Sequence, residues 1–146
     1  MKSLMEEIDS LEIPGIPSLA SRKPRRLPKP TPGLPVPTED QVQKAILRLV
    51  RVNGGTACAV ENETKGKLAP GQMFARKARG VTAGHPDLIT YWPGGRVVLV
   101  EVKKPGGTVQ PEQDDFIDAR IAQGFVAGVV ASVDEAVSLF KQAGVI

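Results

Sequence analysis

Residues 87–103 read Asp-Leu-Ile-Thr-Tyr-Trp-Pro-Gly-Gly-Arg-Val-Val-Leu-Val-Glu-Val-Lys. Two apolar runs split by Pro93-Gly94-Gly95 predict a β-hairpin, with strands at Asp87 to Tyr91 and Val97 to Lys103. Val97-Val98-Leu99-Val100 is apolar on both faces, so the second strand is central to a sheet. Glu101 and Lys103 close that strand on one face, while Val102 turns to the opposite, packed face. Charges at the end of an apolar strand are expensive unless they are paired or bound to something. A three-residue loop pairs Trp92 with Arg96, and counting back then sets Asp87 opposite Glu101. Directly opposed residues share a face, with Cβ atoms about 4.5–5.5 Å apart. Two carboxylates that close repel unless a proton or a cation lies between them, and a one-residue slip of the turn breaks the alignment. Oxygen donors alone suit a hard cation, Mg²⁺ or Mn²⁺. Lys103 beside it would orient water or stabilise phosphoryl charge.

Outward from the hairpin, Thr38-Glu39-Asp40-Gln41 is a capping box. Val42, Ala45, Ile46, Leu49 and Val50 then recur at helical spacing, which predicts a helix over 39–52 ended by Asn53-Gly54-Gly55. Glu39 and Gln43 share a face at the rim of its apolar stripe, so Glu39 is a candidate third carboxylate or water-mediated ligand. Residues 56–61 read as a short strand, and Cys58 in its apolar run as a buried, inert thiol. Residues 63–84 read mostly as loop, long enough to suggest function. Pro111 opens a helix to about Gln123. Gln113 lies three and four residues before Phe116 and Ile117, which leans it towards the core and the site. Phe125 to Ala131 is a further strand, and Ser132 with Asp134-Glu135 starts a last helix. The order is α-β-β-β-α-β-α, an α/β sandwich on a mixed sheet with an antiparallel hairpin and a later crossover able to be parallel.

Residues 1–37 form a separate arm and 38–146 the folded domain. Prolines at 14, 17, 24, 28, 30, 32, 35 and 37 bar a helix or a central strand, so extended, polyproline-like or disordered chain is expected, with one short helical turn within Met1 to Leu11.

The chain has 146 residues and a formal charge of +3, unevenly distributed. Arg22, Lys23, Arg25, Arg26 and Lys29 make one basic block. Lys65, Lys67, Arg76, Lys77 and Arg79 make another, while Glu112, Asp114, Asp115, Asp118, Asp134 and Glu135 lie towards the C-terminus. Such asymmetry suits a polyanion such as nucleic acid, and the second block would hold its backbone. Only 4% of residues are aromatic, so the core is built from Val, Ile, Leu and Ala. One cysteine and one histidine leave no set for a structural zinc site. No apolar run nears the roughly 20 residues that span a bilayer, and Glu6, Glu7 and Asp9 interrupt any signal-peptide core. The histidine, His85, and the aromatics Tyr91 and Trp92 are read as packing groups.

Gly84-His85-Pro86-Asp87-Leu88 and Glu101-Val102-Lys103 together resemble the G-x-P-D-L and E-V-K elements of the VRR-NUC domain, within the PD-(D/E)xK nuclease superfamily. Lys104-Pro105-Gly106-Gly107, Pro111-Glu112-Gln113 and the opening Glu39 with Gln43 extend the resemblance over about Thr38 to Phe140, and Asn62 matches weakly. It implies a restriction-endonuclease-like fold and Mg²⁺ or Mn²⁺ held by Asp87, Glu101, the Val102 carbonyl and Glu39. It also implies a catalytic Lys103, an auxiliary Gln113, and DNA contacts through Gln43 and Lys104. Small stand-alone members are similar in size and act as dimers on branched DNA such as four-way junctions, so a DNA endonuclease and a homodimer are expected. Alternatives are a nuclease of flaps or ordinary duplex, or a nucleic-acid-binding module without cleavage. The setting expected is the cytoplasm of a bacterial or phage-infected cell. The proline-rich arm lies outside the family pattern.

Overall fold

A computed structural model describes residues 22–60, 69–80 and 84–146. The elements are β1 (Arg25–Arg26), α1 (Glu39–Val52), β2 (Thr56–Ala59), α2 (Pro70–Ala78), β3 (Leu88–Trp92), β4 (Arg96–Val102), β5 (Thr108–Val109), α3 (Pro111–Ala122), β6 (Val126–Val130) and α4 (Val133–Gln142). A four-stranded sheet runs β2-β3-β4-β6, antiparallel except for the parallel β4/β6 pair, with β4 inside. This is the mixed α/β architecture expected, and α3 is the crossover between the parallel strands.

The central strand has two packed faces. Val98, Val100 and Val102 meet Val42, Ile46 and Val50 of α1 and Ala136, Leu139 and Phe140 of α4. Val97 and Leu99 meet Phe116 and Ile117 of α3 on the other side. Glu101 follows Leu99 at strand spacing and so falls on the α3 face. The hairpin register is Trp92↔Arg96 through Leu88↔Val100, which sets Asp87 opposite Glu101 one step further on. The turn works because Gly94 and Gly95 both take positive φ, 80° and 73°. Thr38 accepts from the Gln41 amide, and Gln41 accepts from the Thr38 amide, so the capping box forms.

Among the described residues, two polar side chains are buried inside this sandwich, Thr90 and Glu101. Thr90 has no exposed surface. Its hydroxyl donates to the Val98 carbonyl at 2.9 Å and accepts from Trp92 Nε1 at 2.9 Å. Trp92 is itself buried and meets Phe140 edge-on at 5.0 Å, so it packs the core. Thr90→Val conserves shape but strands the indole N–H. It is expected to cost about 1–3 kcal/mol in urea unfolding, part of which Trp92→Phe recovers in the double variant.

Two expectations change, and a third gains a contact. Residues 69–80 hold a helix where loop was expected. Pro70 starts α2 at its first turn, and the Gln72 side chain accepts from the Ala69 amide at 3.2 Å. The glycines at 66, 71, 80 and 84 masked the run of helix formers between them. Cys58 is exposed, because β2 is an edge strand. The part of the arm from Arg22 onward is extended, one of the forms expected, and it adds a pairing with the domain that was not expected. β1 pairs with β5, Leu27 donates to the Gly107 carbonyl at 2.9 Å, and Gly106 donates to the Pro28 carbonyl at 2.8 Å. Proline lacks only a donor, so a two-residue edge strand survives among prolines. The short helical turn expected within Met1 to Leu11 lies outside the described residues, as does Asn62.

Candidate active site

The antiparallel register and the start of α3 converge on one carboxylate. Glu101 is 1% exposed, the only charged residue among the buried described residues. Its Oε1 is 3.0 Å from Lys103 Nζ and accepts from Gln113 Nε2. Its Oε2 is buried with no hydrogen-bond partner among the described residues. Across the hairpin, Asp87 Oδ2 accepts from the Val102 amide at 2.8 Å, which ties the second carboxylate to the main chain of the Glu101-Val102-Lys103 segment. Burial first, and the charge of Asp87 second, push the Glu101 carboxyl up from 4.5 to about 7, against the pull of Lys103.

Two local features hold α3 over this carboxylate. Gln113 Oε1 accepts from the Gln110 amide at 3.0 Å, which turns its Nε2 towards Glu101. Gly84 lies against the first turn of α3, at φ 80°. A Cβ there would overlap the main-chain carbonyl of Glu112 and come within 3.1 Å of the Gln113 nitrogen. The Gly84-His85-Pro86 segment is thus the seat of the helix that carries Gln113. His85 packs its ring on Phe116, centroids 4.7 Å apart. Burial, helped by Arg120, lowers its pKa, so it stays neutral at physiological pH and acts as a packing group.

The remaining expected residues divide. Glu39, at the first turn of α1, accepts from the Lys104 amide at 3.2 Å, so it reaches the chain just beyond the end of β4. Among the described residues, however, no three His, Cys, Asp or Glu side chains come together, so Glu39 stands beside the Asp87–Glu101 pair. Gln43 lies one turn further along α1, half-buried. Lys104 is exposed next to Lys103. Arg76, Lys77 and Arg79 are carried on α2 and the residue after it, with Arg79 Nε bonded to the Ala75 carbonyl at 3.3 Å. Lys65 and Lys67 lie outside the described residues.

Sequence reasoning missed Gly84 as the seat of α3, although its place before Pro86-Asp87 was legible. It also missed the partners of Arg22 and Arg25. Arg22 pairs with Asp115 at 2.9 Å and with Asp118, and Arg25 with Asp114 at 2.8 Å, so α3 holds the arm. The spacing of Asp114 and Asp118 on one helix face was the available signal.

The donor set suits a hard divalent cation: two opposed carboxylates, one with an unpartnered buried oxygen, and oxygens only. The raised carboxyl has a stability consequence. In EDTA, folded Glu101 holds its proton more tightly than the unfolded chain does. Below pH 4.5 both states are protonated and nothing is lost. Between pH 4.5 and about 7 the folded state is progressively penalised, by on the order of 3 kcal/mol in all. Urea unfolding of metal-free protein at pH 5 and pH 8 is expected to show this fall. Mg²⁺ is expected to reverse it.

The family model described as the VRR-NUC domain matches residues 35–134. Among solved structures the chain is similar to one described as a VRR_NUC domain protein. That likeness has 27% identity and a TM-score of 0.51, and it covers 75% of this chain and 89% of the other. None of the curated proteins matches the chain in sequence. Among the described residues no helix is long and apolar enough to cross a membrane.

Proposed function

The chain belongs to the VRR-NUC family, a nuclease-type domain, and from that premise we propose that it is a Mg²⁺- or Mn²⁺-dependent endonuclease. Its proposed substrate is DNA, with branched forms such as four-way junctions preferred. The observation that carries the reading is Glu101: a carboxylate 1% exposed, beside Asp87, with one oxygen unpartnered and the other shared by Lys103 and Gln113. A structural core has no use for a charge so placed.

Asp87, Glu101 and the Val102 carbonyl would hold the cation, with Glu39 linked to the same strand end through the Lys104 amide. Bound there, it supplies Lewis acidity for the phosphate and for water. The protein's own part is preorganisation. The bond from Val102 to Asp87 fixes one carboxylate, and Gln113 fixes the other before substrate arrives. Lys103, 16% exposed and 3.0 Å from Glu101, holds a positive charge where negative charge develops on the phosphoryl oxygens. Lys104, with Arg76, Lys77 and Arg79, would grip flanking phosphates. The preference for branched DNA, and a homodimer acting on it, rest on the resemblance to small stand-alone members.

The test is single-turnover cleavage of end-labelled four-way junction, flap, duplex and single strand in Mg²⁺, Mn²⁺ and EDTA. Metal-dependent cutting that favours the junction is expected. Equal cutting of duplex and junction removes the branch preference and leaves the nuclease. Binding of all four with no cutting in either metal favours a non-catalytic binding module.

A further inference from the structure

The basic arm is docked on α3 and on the turn at Gly106-Gly107, and its cations fall into two sets. Arg22 and Arg25 are spent on α3, where Asp114, Asp115 and Asp118 receive them and raise their pKa values. The side chains of Lys23, Arg26 and Lys29 are exposed and make no hydrogen bond or ion pair among the described residues. Strand geometry accounts for the division within β1, between Arg25 and Arg26. Arg25 turns to α3, so its neighbour Arg26 projects from the other face of β1.

The arm's place is fixed by its backbone. Leu27 is bonded to Gly107, and Pro28 accepts from Gly106. Gly107 lies against Lys103 and Lys104, since a Cβ there would sit 3.6 Å from Lys103 Cβ and 3.5 Å from Lys104 Cγ. A Cβ at Gly106 would come within 3.8 Å of the Lys29 Cα, so Lys29 borders the same turn. Arg26 and Lys29 therefore flank the Pro105-Gly106-Gly107 turn that follows the lysine pair. Docking also changes the local field. Asp114, Asp115 and Asp118 on α3 would repel phosphate, and five arm cations (Arg22, Lys23, Arg25, Arg26, Lys29) outnumber them.

We propose that Lys23, Arg26 and Lys29, with Lys104, form a phosphate-binding track that leads a nucleic-acid strand along the docked arm to Lys103. The identity of the polyanion rests on the nuclease reading; the track itself rests on the arm's contacts. The test is fluorescence anisotropy of the full chain with labelled duplex in EDTA, over about 50–300 mM salt. The variants are the triple Lys23→Gln, Arg26→Gln, Lys29→Gln and the double Arg22→Gln, Arg25→Gln. The triple is expected to lose on the order of tenfold affinity at low salt and to flatten the log–log salt slope by about 2 to 3, with its melting temperature unchanged. The double is expected to weaken binding too, by releasing the arm and re-exposing the α3 acids. If the wild type binds and cuts while the triple keeps its affinity and slope, the track is overturned and the nuclease stands. If the wild type binds no DNA, both fall. An arm effect in a protein that binds but never cuts supports the track and overturns the nuclease reading.

Discussion

Glu101→Gln is expected to abolish cleavage, by at least about a thousandfold, while making the metal-free protein more stable above pH 7. The two effects have one cause. The side chain is 1% exposed, its carboxyl is raised to about 7, and its Oε2 has no partner among the described residues. The amide keeps the volume and still accepts from Lys103 and Gln113, but it removes a buried charge opposite Asp87. Above pH 7 the gain is on the order of 3 kcal/mol; below pH 4.5 it vanishes, because the carboxyl is then protonated in both folded and unfolded chains. Stability lost in this way is what a catalytic role for Glu101 would entail. Paired urea titrations at pH 5 and pH 8, beside a single-turnover assay, check it. A variant that is less stable at pH 8 and still cuts would mean that Glu101 is a structural ion-pair partner of Lys103.

Gly84→Ala should damage both the fold and the chemistry from a position that bears no reactive group. A side chain at φ 80° costs about 1–2 kcal/mol before any clash. Here a Cβ also overlaps the Glu112 main-chain carbonyl, which no rotamer relieves. Backbone has to move, and the backbone that moves is the first turn of α3. Gln113 then withdraws from Glu101. A displacement of about 1 Å in such a group costs on the order of a hundredfold in rate. We expect a loss of at least about 2 kcal/mol in chemical denaturation, with a fall in single-turnover rate that persists where the variant is fully folded. Normal cleavage by a destabilised variant would detach Gln113 from catalysis.

The hairpin was legible because its determinants are local. Pro93-Gly94-Gly95 sets loop length, loop length sets register, and register sets Asp87 opposite Glu101. Both helices with side-chain caps were legible for the same reason: Thr38 and Ser132 stand at the N-caps of α1 and α4. Gln113's lean towards the core followed from its spacing to Phe116 and Ile117, on the helix that Pro111 opens. What stayed hidden is non-local. The arm's prolines announce extended chain, but only the contact of Arg22 and Arg25 with α3 shows that it docks. Exposure of Cys58 depends on β2 being an edge strand, which the sequence of β2 alone does not say. The helix at 70–78 was obscured by flanking glycines. Glu39 was expected at the rim of the α1 stripe as a third carboxylate; it reaches the strand end, but its bond is to the Lys104 amide, a main-chain partner that periodicity cannot name.

The central claim is that Asp87, Glu101 and Lys103 form the cutting centre of a metal-dependent nuclease. The most direct measurement is cleavage of one labelled DNA by the wild type, Asp87→Ala and Lys103→Ala, with Mg²⁺, Mn²⁺ or EDTA, at matched folded fraction by near-UV circular dichroism. The account predicts cutting by the wild type in metal only, and none above background by either variant. Cutting that survives EDTA, or that either folded variant retains, would contradict it.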